Sequence, residues 1–407
     1  MAENIRELLK AHRKLEREVY LDNENSSMVP AEVVDAMLPY FNEKAYGNPA
    51  LTHKPGWEAF ETIMQCSKQI AAFLDCETPE RVTFTPGETE ANNLALVGTT
   101  LSTKSVGKKI VTSEIEPLGL LHITDLLQNY GFSVEKIPVD AEGSFNLEEL
   151  GEAVDRETAI VSLSMVNHEI GTIEEIKEAR QIVEDRNPDT LFHTDASDAY
   201  GRVPFSVEDL EIDLATVSSY KILGPRGIGA LYVRDGVKVT RILEGQVGTQ
   251  NLWPGVENTP LIVGFTRASD LAFKDFRENA SHMRRLRDRL VDGIVQDVTR
   301  VELNGPRGGK RAPDNVNVSF LGCEGESLTI ELSLHGVYVS SGSACMRRLL
   351  QPSHVLRAIG KGFAEAHSSI LMKVTRYHTS DDVEYALSAI RKAVERIRGI
   401  SGSMEMN

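Results

Sequence analysis

The sequence predicts an α/β protein with a large, mostly parallel sheet covered by helices on both faces, followed by a smaller α+β domain. Short apolar strands alternate with amphipathic helical segments as far as about residue 260, where the alternation stops. Such βαβ alternation is typical of parallel sheets that are buried on both faces. A chain of 407 residues also exceeds one ordinary domain. We expect a helical extension at 1–18, a large domain at 19–260 and a small domain at 261–407.

The elements of the large domain follow from the hydrophobic pattern. Apolar runs predict strands at 82–85, 110–113, 134–137, 159–164 and 191–193. Amphipathic patterns predict helices between them at 89–97, 118–130, 147–154 and 174–185. Asn146 is the expected N-cap of the third helix, and Glu149 completes a capping box.

The small domain is expected to begin with a long helical tract at 261–298. Strands at 301–304 and 316–320 follow, then a helix at 326–335, a strand at 337–340 and a final helix at 381–398. This order lacks the regular strand–helix alternation of the first part, so it indicates an α+β domain.

Composition and charge exclude two classes of partner. The chain has 44 Lys and Arg against 60 Asp and Glu, a net charge of −16, whereas nucleic-acid binding needs a basic surface. The basic segment 306–311 is expected to be a solvated, Gly-rich loop. No apolar run approaches the ~18 residues of a membrane span, and the charged N-terminal segment lacks a signal-peptide core. We expect a soluble, cytoplasmic protein.

The four cysteines show no metal-binding or disulfide pattern. Cys66 lies in an amphipathic helical pattern and is expected to pack in the core. Cys345 differs, because it follows small polar residues and precedes Arg347 and Arg348. Two neighbouring guanidinium groups favour the thiolate form, so Cys345 is a candidate reactive thiol.

Lys221 stands where an apolar strand meets a turn containing Gly224 and Pro225. Its apolar neighbours predict burial, so this lysine needs either a partner or a chemical role. A desolvated lysine amine is a nucleophile, and its recurring use is a Schiff base with pyridoxal phosphate (PLP). Asp195 closes an apolar strand 26 residues earlier, and the two side chains are expected to face one crevice. The alternative is a lysine that snorkels from a strand end.

Collinear motifs over 20–397 resemble those of the cysteine desulfurases, which are fold-type I, class V aminotransferase-like PLP enzymes. The motifs are YLDN at 20–23, YGNP at 46–49, TEANN at 89–93, EIGT at 169–172, GPRG at 224–227 and SSGSAC at 340–345. The resemblance implies a PLP-dependent transferase that removes sulfur from L-cysteine, giving alanine and a persulfide for iron–sulfur cluster assembly or thiolation. It also implies a homodimer and a sulfur acceptor or iron–sulfur scaffold protein as partner.

Site residues are carried over from the resemblance by position. It implies that Lys221 binds PLP and acts as the base, and that Cys345 carries the sulfur. The implied cofactor-binding residues are Gly87, Glu88, Thr89, His168, Asp195, Asp198, Ser218 and Tyr220. The implied substrate-binding residues are Asn23, Asn167 and Arg376. A turn that feeds a helix, as at 85–89, also suits a phosphate on physical grounds.

Several positions depart from the family pattern. Pro117 replaces a histidine that stacks on the cofactor, so that its proton work would fall to His168 or His122. Asp198 replaces a glutamine, and Leu371 replaces an arginine that holds the substrate carboxylate. Further departures are Glu88, His168, Tyr220 and Val256. Two alternatives therefore stay open: a carbon–sulfur or carbon–selenium lyase for a differently anchored substrate, and a catalytically reduced homologue that acts as a scaffold or persulfide relay.

Overall fold

The computed structural model describes residues 15, 17–102, 107–342 and 352–404. Contacts divide the chain into two compact units. The large unit comprises Ser26–His168 and Thr172–Ala280. The small unit contains the described residues up to Asn25, the tripeptide Glu169–Gly171 and the residues from Ser281 onward. The domain boundaries expected from the sequence stay a prediction.

A seven-stranded sheet forms the centre of the large unit, with the strand order β2-β8-β7-β6-β5-β3-β4. Only β8 runs antiparallel to its neighbours, so the sheet is mostly parallel, as predicted. The strands are β2 Val82–Thr85, β3 Lys109–Ser113, β4 Ser133–Ile137, β5 Thr158–Ser164, β6 Leu191–Asp195, β7 Leu214–Ser218 and β8 Gly229–Val233. Every residue of β2, β5 and β7 is buried, as expected of strands covered on both faces.

Helices of the large unit follow the predicted order, and of the four predicted helices only α4 is longer than expected. They are α1 Ala31–Met37, α2 Pro39–Asn42, α3 Lys54–Phe73, α4 Glu88–Ser102, α5 Leu118–Asn129, α6 Leu147–Ala153, α7 Ile176–Arg186 and α8 Thr259–Phe273. Asn146 caps α6 as expected, since its side chain accepts hydrogen bonds from the amides of Glu148 and Glu149 at 3.1 and 3.2 Å. Cys66 is buried in α3, which confirms its place in the core.

The small unit is built on a four-stranded antiparallel sheet of order β12-β13-β10-β9, beside a parallel pair β1-β11. Its strands are β1 Val19–Tyr20, β9 Val301–Leu303, β10 Asn315–Phe320, β11 Val337–Tyr338, β12 Ser340–Ser341 and β13 Ser369–Lys373. Its helices are α9 Phe276–Asp297, α10 Gly325–Leu334, α11 His354–Ala358, α12 Phe363–His367 and α13 Ser380–Met404. The first residues of α9 belong to the large unit.

The helical tract expected at 261–298 is confirmed, as the two consecutive helices α8 and α9. Two expectations for the small domain were wrong in detail. The strand at 337–340 is the two short strands β11 and β12. The segment 306–311 is not wholly solvated, because Arg311 is 1% exposed. Its guanidinium donates hydrogen bonds to the backbone carbonyls of Asn304 and Pro306 and to the Asn315 side chain. These bonds stabilise the backbone of this loop. Burial lowers the pKa of Arg311 to about 9.

None of the helices within the described residues has the length and apolar character needed to span a membrane.

Candidate active site

The site is built at the carboxyl ends of β6 and β7, which are adjacent parallel strands. Asp195 is the last residue of β6, and Lys221 lies in a 3₁₀ turn, Tyr220–Ile222, just beyond β7. A left-handed residue, Leu223 with φ +70°, ends the turn. The next residue, Gly224, has no room for a side chain, because a Cβ there would lie 2.1 Å from the Ser219 hydroxyl oxygen. The chain therefore turns sharply and keeps Lys221 inside.

Lys221 is only 2% exposed, which excludes the snorkelling alternative. Its Nζ donates to Asp198 Oδ2 at 3.0 Å, so the lysine has the buried partner that its position requires. The Tyr220 ring centroid lies 5.4 Å from the same Nζ, and Tyr220 itself is half-buried. The structure thus brings three of the predicted residues together.

Asp195 is buried and held in a fixed orientation. Its Oδ2 accepts from Asn92 Nδ2 at 2.8 Å, and its Oδ1 accepts from the Ser197 amide at 2.9 Å. Burial raises the pKa of Asp195, and the nearby charge of Asp198 acts in the same direction. A carboxyl group held in this way can share a proton with a basic ring nitrogen.

The predicted anion site lies at the start of α4. Gly87 precedes this helix, Glu88 and Thr89 form its first turn, and Thr89 is exposed. Ser218, at the end of β7, is fully buried, and its hydroxyl has no hydrogen-bond partner among the described residues. At Gly229 an added Cβ would lie 3.0 Å from the Gly87 carbonyl carbon, so these backbones approach closely. A helix N-terminus with an unsatisfied buried hydroxyl nearby fits a phosphate group.

Glu116 is a buried acid whose importance the sequence did not reveal. It accepts from the Ser113 hydroxyl at 2.6 Å, from the Ser164 amide at 3.0 Å and from the Ser164 hydroxyl. Burial raises its pKa to about 7. Pro117 follows directly and serves as the N-cap of α5.

Of the two histidines considered for proton transfer, His122 is exposed on α5 and His168 is half-buried in the turn after β5. A third histidine, His193, was missed. Its Nδ1 lies 2.8 Å from the Ser162 hydroxyl and its Nε2 lies 3.1 Å from the Thr216 hydroxyl. Burial lowers the pKa of His193 to about 3, so the ring is neutral and links β5, β6 and β7. The sequence did contain a signal for this buried histidine, namely a single histidine within an apolar strand pattern.

Two of the three predicted substrate-binding residues donate hydrogen bonds to backbone carbonyls in this structure. Asn167 Nδ2 donates to the Ile115 carbonyl at 2.9 Å in the large unit. In the small unit, Asn23 Nδ2 donates to the carbonyls of Tyr20 and Lys373 at 3.0 and 2.9 Å. Arg376 lies 4.9 Å above the Tyr377 ring. Their substrate-binding roles stay predictions, and Cys345 lies outside the described residues.

The fold and the buried lysine together define a class, the fold-type I enzymes, whose parallel sheet carries its site at the carboxyl ends of the strands. Comparison with known proteins narrows that class. The Aminotransferase class-V family model matches residues 19–386. Cysteine desulfurase IscS 1 of Archaeoglobus fulgidus is 40% identical over 382 residues, which cover 94% of this chain and 98% of that protein.

Solved structures agree with this relationship. A NifS-like protein superposes with a TM-score of 0.87 at 33% identity, over 93% of this chain and 100% of its own. SspA in complex with cysteine gives a TM-score of 0.78 at 29% identity, over 89% of this chain and 100% of its own. The chain belongs to the aminotransferase class-V family, and within it to the cysteine desulfurases.

Glu116→Gln should remove one pH-dependent loss of stability. The pKa of Glu116 is raised from its ordinary 4.5 to about 7, so its contribution to folding is fully present below pH 4.5 and is lost as the pH rises through 7. Glutamine does not ionise. As the pH rises from acid to alkaline, the free energy of unfolding of wild type should therefore fall by roughly 2 to 4 kcal/mol more than that of the variant.

Urea unfolding of both proteins over a pH series measures this difference. Glu175→Gln is the matched control, because Glu175 is exposed and its substitution removes the same charge. A constant difference between wild type and the Glu116 variant across the series would contradict the assignment.

Proposed function

We propose that this protein is a PLP-dependent cysteine desulfurase that converts L-cysteine to alanine and leaves the sulfur as a persulfide on Cys345. The observation that carries the proposal is the buried Lys221 beside Asp198 and at the same sheet edge as Asp195, in a chain whose relatives are named cysteine desulfurases. Once it has released its proton, a buried lysine amine is the nucleophile that an aldehyde cofactor requires.

The residues present fit PLP. When bound, the cofactor supplies an electron sink for bond cleavage at the substrate α-carbon and β-carbon. Asp195 would hold a proton at the pyridine nitrogen, while Thr89, Ser218 and the N-terminus of α4 would bind the phosphate. Lys221 would bind the aldehyde carbon and, once released, accept the proton from the substrate α-carbon.

In this proposal the Cys345 thiolate attacks the substrate sulfur. The carbon–sulfur bond breaks, the sulfur remains on Cys345 as a persulfide, and the remaining three-carbon fragment is protonated to alanine. Arg347 and Arg348 would favour the thiolate by their charge. An acceptor or iron–sulfur scaffold protein would then take the sulfur.

One observation in the small unit favours a second candidate, the lyase for a differently anchored substrate. In the sheet, Leu371 lies opposite Asn317 of β10 and Ser340 of β12. Its neighbours along β13, Ile370 and Met372, belong to the core of the unit. Leu371 therefore lies on the other face of the sheet from that core. An aliphatic side chain there offers no charged contact to a carboxylate.

The scaffold alternative is less well supported. A chain without cofactor chemistry would not need a lysine that is 2% exposed, because a buried ion pair is often neutral or unfavourable for stability compared with apolar residues. The cytoplasmic location expected from the sequence remains a prediction.

Substitution of Lys221 and Cys345 should separate cofactor binding from sulfur transfer. Lys221→Ala should lose both the visible absorption band of the bound cofactor and the persulfide, because the lysine acts before any sulfur is released. Cys345→Ser should keep the band and lose at least about 99% of persulfide formation, since a hydroxyl does not accept sulfur in this way. Absorption spectra and a persulfide-labelling assay with L-cysteine measure the two effects.

Cys76→Ser is the control, because Cys76 is buried and its weak hydrogen bond to the Thr78 carbonyl can be kept by serine. Persulfide formation by Cys345→Ser at the wild-type rate would exclude Cys345 as the sulfur carrier.

Leu371→Arg should distinguish the two candidate substrates. A guanidinium fork restores a charged contact worth roughly 1.5 to 3 kcal/mol, so the KM for L-cysteine should fall by about one to two powers of ten if cysteine is the substrate. Leu371→Lys adds the charge without the fork and should give a smaller effect. Steady-state kinetics of alanine formation measures KM, and an unchanged KM in both variants would favour the lyase.

We also propose a homodimer, on the basis of an exposed apolar surface in the large unit. Val34, Leu38 and Phe41 recur at helical spacing along α1 and α2, and Leu38 and Phe41 are 55% and 60% exposed. Trp57 on α3 is 60% exposed, and both α1 and α3 pack against α8. An apolar surface of this kind is typical of a subunit interface. Trp253 in the same unit packs partly against the core of that unit.

Leu38→Asp combined with Phe41→Asp should convert the dimer to a monomer, since two desolvated carboxylates would face an apolar partner. Light scattering at micromolar concentration measures the mass. Leu126→Asp is the matched control, because Leu126 is an exposed leucine on α5 outside this surface. A wild-type protein that is already monomeric would exclude the homodimer.

A further inference from the structure

Four buried charges meet around Lys221 in the large unit. Its Nζ donates to Asp198 Oδ2 at 3.0 Å, and the Lys221 and Asp198 side chains are 2% and 7% exposed. Arg202, 7% exposed, places its Nη1 3.6 Å from Asp198 Oδ1. Asp195 is the fourth charged group, and its pKa is raised by burial and also by the charge of Asp198. The Asp198 carboxylate thus stands between two cations.

Arg202 fixes the position of this carboxylate. Its guanidinium donates to the backbone carbonyl of Asp198 at 3.4 Å and to that of Lys221. One buried side chain therefore ties the loop after β6 to the turn after β7. The backbone at Asp198 cannot move away from that at Lys221 without breaking one of these two hydrogen bonds of Arg202.

We propose that Asp198 is a positioning residue that holds the Lys221 amine in its protonated form and so sets the pH above which Lys221 reacts with PLP. This inference rests on the proposed function, because it concerns the same lysine and cofactor. It is specific to this chain, since the resemblance places a neutral glutamine at position 198, and a neutral side chain has no charge with which to stabilise an ammonium group.

The chemistry explains why protonation matters. The ammonium group must first release a proton to solvent, after which the amine nitrogen adds to the aldehyde carbon and one water molecule leaves. A carboxylate at 3.0 Å opposes the first of these steps because it stabilises the charged form. The face of the Tyr220 ring acts in the same direction, whereas the charge of Arg202 acts against it.

The test uses the full-length protein freed of cofactor. PLP is added over a series of pH values, and the growth of the visible absorption band gives the loading rate. Asp198→Asn and Asp198→Gln should load about tenfold faster than wild type near neutral pH, with the midpoint of the rate profile moved to lower pH. Asp198→Glu keeps the charge and should keep a midpoint close to that of wild type.

The loaded protein gives a second reading that does not depend on turnover. The same carboxylate favours a proton on the Lys221 nitrogen after loading, so the pH-dependent change in the visible band should occur at lower pH in Asp198→Asn. Asp209→Asn is the matched control, because it removes one exposed carboxylate from the same unit without touching Lys221.

The outcomes separate this inference from the proposed function. If wild type and both neutral variants become coloured and their loading rates have the same pH midpoint, the role of Asp198 is overturned and the desulfurase proposal is left intact. Asp198→Glu with a midpoint as low as that of Asp198→Asn would also overturn it, because packing rather than charge would then control loading. A wild-type protein that stays colourless at every pH would overturn both proposals.

Discussion

The burial of a lysine at the edge of a parallel sheet is the constraint on which the candidate site depends. An unpaired buried ammonium group costs several kcal/mol, and removal of one partner from a buried ion pair typically costs about 3 to 5 kcal/mol. Lys221 therefore requires Asp198, and Asp198 in turn lies close to Arg202. The loop after β6 and the turn after β7 are held by the same charges that would perform the chemistry.

The sheet supplies the geometry that makes this arrangement possible. Strands β5, β6 and β7 are parallel and adjacent, and Asp195 lies opposite Ser164 on one side and Thr216 on the other. His193 links the same three strands as a neutral ring between two hydroxyls. Hydrogen bonds across the strands fix their register, and a fixed register determines where the side chains at the strand ends point.

The sequence predicted the elements whose signal is periodic, and it was less informative where the signal depends on tertiary contacts. Apolar runs were enough to predict β2 through β6, and the apolar neighbours of Lys221 were enough to predict its burial. The pairing of Lys221 with Asp198 was not predictable in this way, because Asp198 lies in a loop after β6, where no repeat indicates side-chain direction. Arg311 was assigned to a solvated loop for the same reason. Its carbonyl partners are visible only after the chain has folded.

The departures from the family pattern around Lys221 are electrostatically consistent with one another. A carboxylate in place of the glutamine at position 198 adds a buried negative charge, which would be costly unless cations lie nearby. Lys221 and Arg202 provide those cations, and the Tyr220 ring adds a favourable face for the ammonium group. A fold alone gains little from such a cluster, because well-packed apolar residues of similar volume are often as stable or more stable. Four mutually compensated charges at the carboxyl edge of the sheet are therefore better explained by a cofactor site with altered protonation than by the decay of a site no longer used.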